Sequence, residues 1–462
     1  MALRGWPSGQ VGKSRGAGQA LRLPEASARA APSPRRSLGR ARARQARSAC
    51  KDSWVPSALP AGEHAPPSGE LPARALKALG SGPFGIYVHV PFCTVRCGYC
   101  DFNTYTLTEL GVDGASVGTY ADVACAELDL AAQVLGPGAP VVQTVFFGGG
   151  TPTVLAASDL VRVLNAIAAR FGLARGAEVT TEANPDSVSL GSLQTLAAGG
   201  FTRVSFGMQS AVPHVLATLE RTHDPLNVAR AVQAAKAAGL KVSVDLIYGT
   251  PGESLTDWRT SLDAAIDLAP DHISAYALVV EEATKLGAQV RRGQVPAPED
   301  DDEAAKYELA DEVLGAAGYG WYELSNWART PADRCRHNEG YWRHGQWWGV
   351  GPGAHSHVGG VRWWNLKHPN SYAGRLNAGL SPAAGRELLT EAQRYDERVL
   401  LGTRLVDGLP IEDLRPEGAS AVAGLVADDL VDGPSALRPR RVVLTLRGRL
   451  LADTVVRRLL GF

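Results

Sequence analysis

The 462-residue sequence has no long hydrophobic run, few cysteines for its length and no net charge. No apolar run approaches the ~18 residues needed to cross a bilayer, which excludes a membrane-spanning protein. Six cysteines are too few for a disulfide scaffold in a chain of this length. Collagen-like and other fibrous classes are excluded because no short repeat is present. With 45% hydrophobic and 20% charged residues, the composition is that of a globular protein, and its length suggests about two or three domains.

Basic residues are concentrated at the N-terminus. Residues 1–54 contain twelve Lys and Arg against two acidic residues, which leaves 35 basic and 45 acidic residues in the rest of the chain. An acidic body argues against nucleic acid as a partner. The first 54 residues have no apolar core of the secretory kind, so we expect either a disordered basic extension or a misassigned translation start, with Val55 as the real initiator. We prefer the second hypothesis, and an organellar transit peptide is the third alternative.

From about residue 84, short β-branched or aromatic runs alternate with amphipathic segments of helix length. This alternation predicts an α/β fold whose parallel strands are joined by right-handed crossovers, as an open doubly wound sheet or a partial barrel. The predicted strands are Ile86–Val90, Gln143–Phe147, Glu178–Glu182, Arg203–Phe206, Lys241–Tyr248 and His272–Ala277. The predicted helices between them include Tyr120–Leu135, Ala157–Phe171, Leu193–Ala198, Pro225–Ala238 and Leu255–Leu268.

The composition changes after residue 295. An acidic connector at 296–303 precedes a predicted helix at Ala304–Leu314, and seven of the ten Trp residues then fall within 321–364. That density predicts a separate Trp-rich segment, and the last 82 residues read as a small α/β or winged-helix-like domain with a strand at Val442–Leu446. The predicted division is an extension at 1–54, a lead-in at 55–83, a core at 84–295, the Trp-rich segment at 296–380 and the C-terminal domain at 381–462.

Cys93, Cys97 and Cys100 form a C-x3-C-x2-C array directly after the first predicted strand. Three thiolates on one loop suit zinc or an iron–sulfur cluster. A structural zinc site requires a fourth ligand, whereas three cysteines on a cubane cluster leave one iron open for a substrate or cofactor. The array therefore favours a 4Fe-4S cluster over zinc or over incidental buried cysteines.

Four segments together resemble one family: IYVHVPFCTVRCGYCDF, FFGGGTPT, SFGMQS and VDLIYGTPGE. They are similar to the radical S-adenosylmethionine (SAM) branch that contains oxygen-independent coproporphyrinogen III oxidases and the related HemW haem chaperones. The resemblance covers about residues 84–460 and implies a partial (β/α)6 barrel, a C-terminal domain of the HemN type, a 4Fe-4S cluster on the three cysteines, and bound SAM. Carried over to the matching positions of this sequence, the resemblance implies SAM contacts at Tyr87, Tyr99, Gly149, Gly150, Thr151, Glu182, Gln209, Arg221, Asp245 and Ala277.

The placement of these residues gives an independent check. The cysteine array, the glycines, Glu182, Gln209, Asp245 and Ala277 each lie at or just beyond the end of a different predicted strand. In parallel α/β folds the carboxyl ends of the strands share one edge, where ligands bind. The alternatives are helix caps or solvated turns for Glu182 and Asp245, and a surface ion pair for Arg221.

Two positions bear on the branch of the family. Oxygen-independent coproporphyrinogen III oxidases have a further cysteine two residues after the last cluster cysteine, where this chain has Phe102, as the haem-chaperone branch does. The segment Arg336–Trp342 matches the HNxxYW motif of that branch. His is the commonest protein ligand of haem iron, so the resemblance implies haem contacts at His337, Asn338, Tyr341 and Trp342. Rival iron ligands are His344, His355, His357 and Cys335, and the alternative is that His337 is a hydrogen-bonded surface residue and the Trp-rich stretch a hydrophobic core.

The sequence therefore predicts a haem chaperone that binds a 4Fe-4S cluster, SAM and haem, and that passes haem to an acceptor protein. An acceptor of the respiratory kind, reached by peripheral contact with a membrane, is one hypothesis. We expect a bacterial, cytoplasmic protein without coproporphyrinogen oxidase activity. The alternative is an enzyme that oxidatively decarboxylates the propionates of coproporphyrinogen III, and a purely structural iron–sulfur or zinc protein is a third class.

Overall fold

The computed structural model describes residues 62–80, 82–110 and 116–462. The predicted extension at 1–54 and the start of the lead-in, residues 55–61, lie outside the described residues. In chain order, the strands are β1 (Phe84–Val90), β2 (Phe92–Cys93), β3 (Tyr105–Thr106), β4 (Val142–Gly149), β5 (Leu173–Ala183), β6 (Arg203–Gln209), β7 (Lys241–Tyr248), β8 (His272–Ala277), β9 (Gly320–Glu323), β10 (Asn326–Ala328), β11 (Gln346–Val350), β12 (His355–Val358), β13 (Val361–Asn365), β14 (Ala383–Leu388), β15 (Leu409–Pro410) and β16 (Arg441–Val442).

The helices are α1 (Ala73–Lys77), α2 (Tyr120–Leu135), α3 (Ala157–Phe171), α4 (Leu190–Ala198), α5 (Pro213–Thr218), α6 (Pro225–Ala237), α7 (Leu255–Asp267), α8 (Lys285–Arg291), α9 (Asp300–Ala316), α10 (Arg336–Trp342), α11 (Pro369–Asn377), α12 (Glu391–Gly402), α13 (Pro416–Ala427), α14 (Gly433–Leu437), α15 (Leu446–Leu450) and α16 (Ala452–Leu460). No helix of the described residues is long and apolar enough to cross a membrane.

One large sheet organises the described chain, with strand order β14-β13-β12-β11-β1-β4-β5-β6-β7-β8-β10-β9. Its centre, from β11 through β1 and β4 to β8, pairs in parallel, and the outer strands pair antiparallel. Strands β1 and β4 to β8 lie side by side in chain order, and each contains one predicted strand. The predicted α/β fold with a parallel core is therefore confirmed.

The crossover helices form where apolar residues recur at helical spacing. In α3, Leu160, Val163, Leu164 and Ile167 are buried, which is the i, i+3, i+4, i+7 pattern of a helix with one face on a sheet. Helix α7 begins at a capping box. The Ser254 hydroxyl accepts from the Asp257 N–H, and the Asp257 carboxylate accepts from the Ser254 N–H. These local signals explain why the helix boundaries agree with the sequence pattern.

The Trp-rich stretch continues the core rather than packing as a body of its own. Strand β11 pairs in parallel with β1, and β12 to β14 extend the sheet beyond it. The rings of Trp348 and Trp363 meet edge to face at 4.8 Å and belong to the same hydrophobic core as β1 and β4. The predicted domain division stays a prediction, but this stretch shares both sheet and core with the segment before it.

The C-terminal residues have a second hydrophobic core, which includes Val399, Leu425, Val442 and Val455. The strand predicted at Val442–Leu446 is wrong beyond its first residue, because β16 ends at Val442. The hydroxyl of Thr445 accepts from the Gly448 N–H, and this cap starts helix α15 where the sequence pattern suggested a continued strand.

Candidate functional site

The cysteine array lies on the loop that follows β1. Cys93 ends the short strand β2 and is buried, whereas Cys97 and Cys100 are partly exposed. The loop is held from outside the array: the Gly98 N–H donates to the Leu219 carbonyl at 3.3 Å. One loop at the carboxyl edge of the sheet therefore carries all three thiols.

A half-buried cation accompanies the thiols. The Arg221 guanidinium donates to the Cys97 sulfur at 3.5 Å, and the Thr151 hydroxyl lies 3.9 Å from the Cys93 sulfur. Burial raises the pKa of the Cys93 thiol, and it raises that of Cys100 to about 12. Thiolates need a compensating positive charge here, which Arg221 supplies in part and bound iron would complete.

The donor set, three thiols on one loop with a guanidinium beside Cys97, suits an iron–sulfur cluster. Within the described ranges, no three His, Cys, Asp or Glu side chains converge as one metal ion requires. In a cubane cluster each cysteine binds a different iron atom, so the three sulfurs need not converge on one point.

The glycine segment after β4 packs directly against the cysteine loop. A Cβ added to Gly150 would lie 2.4 Å from the Phe92 carbonyl oxygen and 3.0 Å from the Cys93 sulfur, so only glycine fits there. Gly149 has φ +109°, a conformation that disfavours side chains, and its N–H donates to the Glu182 carboxylate at 3.1 Å. Backbone polar groups are thus brought up against the loop that carries the thiols.

Two half-buried carboxyl groups lie farther along the sheet, and Asp245 lies three residues before the end of β7 rather than at its end as predicted. Glu182 is at the end of β5, and Asp245 on β7 accepts from the Ser205 hydroxyl at 2.8 Å. Burial is the main cause that raises the pKa of both groups, and for Glu182 the neighbouring Asp245 raises it further. Gln209, at the end of β6, has φ +64°, a strained backbone for a non-glycine residue. Such strain is commonly retained at ligand sites.

The remaining residues predicted to bind SAM are near these groups. The Tyr87 hydroxyl lies 2.9 Å from Nδ1 of His89 on the same strand, and Ala277 is the last residue of β8. Tyr99 packs on the hydrophobic cluster that includes Leu278. Burial raises its pKa strongly, and the charges of Cys97 and Arg221 also act on it. The predicted SAM residues therefore lie at or near one edge, while their contacts with SAM stay a prediction.

The HNxxYW segment lies at the opposite end of the sheet. Backbone N–H groups of residues 336 and 337 on α10 donate to the Glu178 carboxylate, which is level with Thr144 near the start of β4. Glu178 also lies 3.6 Å from the guanidinium of Arg203, the first residue of β6. Helix α10 thus lies across the amino ends of the parallel strands, away from the cysteine loop.

The side chain of His337 is fully engaged there. Its Nδ1 lies 2.9 Å from the Thr144 hydroxyl and its Nε2 lies 2.9 Å from the Tyr341 hydroxyl. Its ring stacks on Phe146 at 5.4 Å, and burial lowers its pKa to about 3. In this conformation neither nitrogen offers a free lone pair to iron, so His337 as an axial haem ligand stays a prediction that requires α10 to open.

The other motif residues are also enclosed. Asn338, Tyr341 and Trp342 are between 6% and 7% exposed. The Trp342 indole reaches Glu323, whose pKa is raised to about 7 because it is buried. The aromatic contacts of the motif are therefore made within the protein.

Sequence reasoning missed three polar residues at the carboxyl edge. His89 joins Tyr87 to the Asn103 carbonyl, and Ser205 supports Asp245. His223, 4% exposed, has no hydrogen-bond partner among the described residues for either ring nitrogen. A search for polar residues just before the strand ends could have found the first two, but the burial of His223 depends on tertiary packing.

Comparison with known proteins places this geometry in a family. The Radical SAM superfamily profile matches residues 87–265. The protein named Heme chaperone HemW from Mycobacterium tuberculosis is 52% identical over 393 residues, which cover 85% of this chain and 98% of the relative. The chain belongs to the HemW family. HemW from Bacillus subtilis is 31% identical over 81% of this chain and 98% of its own length.

A solved relative supports the fold. Coproporphyrinogen III oxidase HemN from Escherichia coli, described as a radical SAM enzyme, has a TM-score of 0.70 and 23% identity, covering 84% of this chain and 92% of its own. At this identity the match bears on the fold alone. The radical SAM match implies a 4Fe-4S cluster and SAM as cofactors of the HemW-family chain.

Proposed function

We propose that this chain is a haem chaperone, which binds haem and transfers it to an acceptor protein in the bacterial cytoplasm. The observation that carries the proposal is the 52% identity to Heme chaperone HemW over nearly the whole of that relative. Phe102, in place of a fourth cysteine near the array, supports the chaperone over a decarboxylating enzyme. The acceptor is a protein that incorporates haem, and a respiratory acceptor at a membrane surface remains our hypothesis.

The cysteine loop and the strand ends would hold the two cofactors. Cys93, Cys97 and Cys100 would ligate the 4Fe-4S cluster, and Arg221 would balance the charge of the thiolates. When bound, the cluster and SAM would supply one-electron chemistry at the sulfonium. The glycine segment and Thr151 would present backbone groups to the amino acid part of SAM.

The polar residues of the next strands would orient SAM. Glu182 and Asp245 are half-buried acceptors, and Gln209 adds an amide at the end of β6. Tyr87, Tyr99 and Ala277 would enclose the cofactor and exclude water. We extend to this chain the family roles of these residues because the polar groups among them lie at or near one edge of the sheet.

The haem contacts of the HNxxYW segment are the least direct part of the proposal. His337, Asn338, Tyr341 and Trp342 would reach haem only after α10 leaves the amino ends of the strands. The two hydrogen bonds of His337 and the backbone bonds to Glu178 oppose that movement. The iron ligand must therefore be tested separately from haem binding itself.

The test uses the full chain with its cluster reconstituted under anaerobic conditions. Haemin is titrated into the protein, and the Soret band reports binding. The haem-loaded chain is then mixed with apomyoglobin, and we expect a transfer rate that rises with apomyoglobin concentration because transfer requires contact. A rate independent of apomyoglobin, equal to simple haem release, would contradict the chaperone function.

The alternative enzyme is tested with the same preparation. Coproporphyrinogen III is added with SAM and a strong reductant, and the products are analysed for protoporphyrinogen. We expect none from protein whose deoxyadenosine release shows that cluster and SAM are in place. Stoichiometric conversion would identify a coproporphyrinogen dehydrogenase instead.

A further inference from the structure

His223 is a buried polar residue in the connection between α5 and α6. It is 4% exposed, and neither of its ring nitrogens has a hydrogen-bond partner among the described residues. Buried polar groups in folded proteins nearly always have partners, because leaving one unpaired costs free energy. An imidazole that the folded chain leaves unpaired at this depth suits a group that is paired when a ligand is bound.

Three other histidines of similar burial show the usual pattern. His89, His272 and His337 are between 2% and 4% exposed. Both ring nitrogens of each lie 2.7–2.9 Å from an oxygen of the protein. The packing of this chain therefore supplies partners to buried imidazoles at three other places, and His223 differs from all three.

The connection that carries His223 borders the cysteine loop. Its Arg221 donates to the Cys97 sulfur at 3.5 Å. Arg221 is half-buried and His223 is buried, whereas Thr222 between them is exposed. This alternation indicates that the side chains of Arg221 and His223 turn to the same, inner side of the connection.

The charges around His223 place it near the ends of two strands. Burial is the main cause that lowers the pKa of His223 to about 4, and the positive charge of Arg221 lowers it further, while Asp186 and Asp224 oppose the change. Asp186 lies three residues beyond the end of β5 and accepts from the Asn227 amide of α6 at 2.8 Å. The imidazole is therefore close to the groups that follow β5 and β6, and it is neutral at pH 7.

Arg221 connects this place to the residues predicted to bind SAM. Its guanidinium donates to the Gly207 carbonyl of β6 at 2.7 Å, and its Nε is buried without a partner in the described part of the chain. A Cβ added to Gly207 would lie 2.8 Å from the Gln209 amide nitrogen and 3.2 Å from the guanidinium, so these two groups are neighbours. Asp245 on β7 pairs with Gly207. Polar groups of two strands and of the connection with His223 therefore lie together.

The charges of these groups suit different parts of SAM. One end of SAM carries an amino and a carboxylate group, whereas its nucleoside is uncharged. The Arg221 guanidinium suits the carboxylate, because a charged donor binds an anion more strongly than a neutral donor does. The neutral imidazole of His223 has one donor and one acceptor, which suit the ribose hydroxyls or the polar edge of adenine.

We propose that a ring nitrogen of His223 hydrogen-bonds the nucleoside of bound SAM, near the strand ends where Arg221 and Gln209 lie. The inference rests on the SAM site of the proposed function and adds a residue to that site. It explains why an imidazole stands where no described residue pairs with either of its nitrogens.

The experiment is equilibrium dialysis of labelled SAM against the full chain, with its cluster reconstituted under anaerobic conditions. His223→Phe keeps a flat ring but removes both nitrogens, and His223→Leu is a second apolar variant. We expect the dissociation constant for SAM to rise about five- to tenfold in both, the loss expected for one hydrogen bond. Iron and sulfide content should not change. His223→Gln, whose amide donates and accepts, should recover part of the affinity.

Analogues of SAM distinguish the two parts of the nucleoside. Two analogues each lack one ribose hydroxyl, and a third has purine in place of adenine. The wild type should bind one of them more weakly than SAM, and His223→Phe should lose most of that discrimination. Loss of discrimination against a deoxy analogue identifies a ribose contact, and loss against the purine analogue identifies an adenine contact.

The matched control is His214→Phe, in α5 before the same connection. His214 is exposed and lies 3.5 Å from Asp257, so its variant should bind SAM as the wild type does. If either apolar variant of His223, with its cluster loaded, binds SAM and the analogues as the wild type does, the inference is overturned. Haem uptake and transfer by the same preparations test the proposed function separately. A wild-type chain that holds its cluster but binds no SAM would overturn the proposed SAM site as well.

Discussion

The two ends of the parallel strands carry the two groups of residues that the sequence suggests are functional, and they are built differently. At the carboxyl ends, the cysteine loop and strand-end residues include partly exposed thiols, a strained Gln209 and an unpartnered His223. At the amino ends, Glu178 and Thr144 hold the HNxxYW helix on the strands, and Tyr341 of the same helix occupies the second nitrogen of His337. Groups left without partners suit a binding site, whereas groups already satisfied suit a structural one.

The largest effect, on cofactor binding, should come from removing a thiol at the carboxyl ends of the parallel strands. Cys97→Ala is expected to abolish stable cluster binding and with it SAM binding, because the family site has only three cysteine ligands. Iron and sulfide analysis and equilibrium dialysis of labelled SAM measure both losses. The control is Cys335→Ala, near the amino ends of the strands, which should keep the cluster. If the wild type and Cys97→Ala retain SAM equally, the cluster assignment is contradicted.

At the amino ends of the parallel strands, we expect a large effect on stability rather than on binding. Glu178→Ala removes the acceptor of two backbone N–H groups and leaves Arg203, 2% exposed, without its counter-charge. We expect the free energy of unfolding to fall by about 3–5 kcal/mol. Urea denaturation measures the loss. The exposed Asp122, paired with Arg162, is the comparison, and its Ala variant should change stability by about 1 kcal/mol or less.

A carboxyl group beneath the Gly-rich loop 349–354 should make stability depend on pH. Burial raises the pKa of Glu127 from 4.5 to about 7, although Tyr372, Asn365 and the Gly351 N–H donate to it. Because the folded pKa is above the unfolded one, this contribution is complete below about pH 4.5 and is lost as pH rises through 7.

Comparison with Glu127→Gln isolates this contribution. The stability of the wild type relative to the variant should fall by about 3 kcal/mol between pH 4.5 and pH 8. Denaturation at several pH values measures the difference. A constant difference across this range would show that Glu127 titrates normally.

The smallest effect is expected from the hydrogen bond that holds the His337 ring. Thr144→Val keeps the side-chain shape but removes the partner of Nδ1, 2.9 Å away. We expect a loss of about 1–2 kcal/mol in unfolding free energy and unchanged loading of cluster and SAM. An altered haem spectrum in this variant would indicate that His337 does take part in haem binding.

Much of the core could be predicted because its signals are local. Apolar periodicity predicted the six parallel strands and the long helices between them, and Tyr120–Leu135 and Ala157–Phe171 agree with the structure at both ends. Since parallel strands share one edge, the order of motifs along the chain also placed the cysteines, Glu182 and Asp245 together. Long-range pairing is not visible in such patterns, so the position of the Trp-rich strands next to β1 could not be predicted.

The sequence by itself determined the parallel core, the cysteine array and the family, because each depends on residues close together in the chain or on the order of strands. The tertiary structure alone decided which candidate residues are free to bind. The sequence favours His337 as an iron ligand over its rivals, yet in the folded chain both of its nitrogens are occupied. The partners of a side chain come from distant segments, here Thr144 for His337, and only folding brings them together.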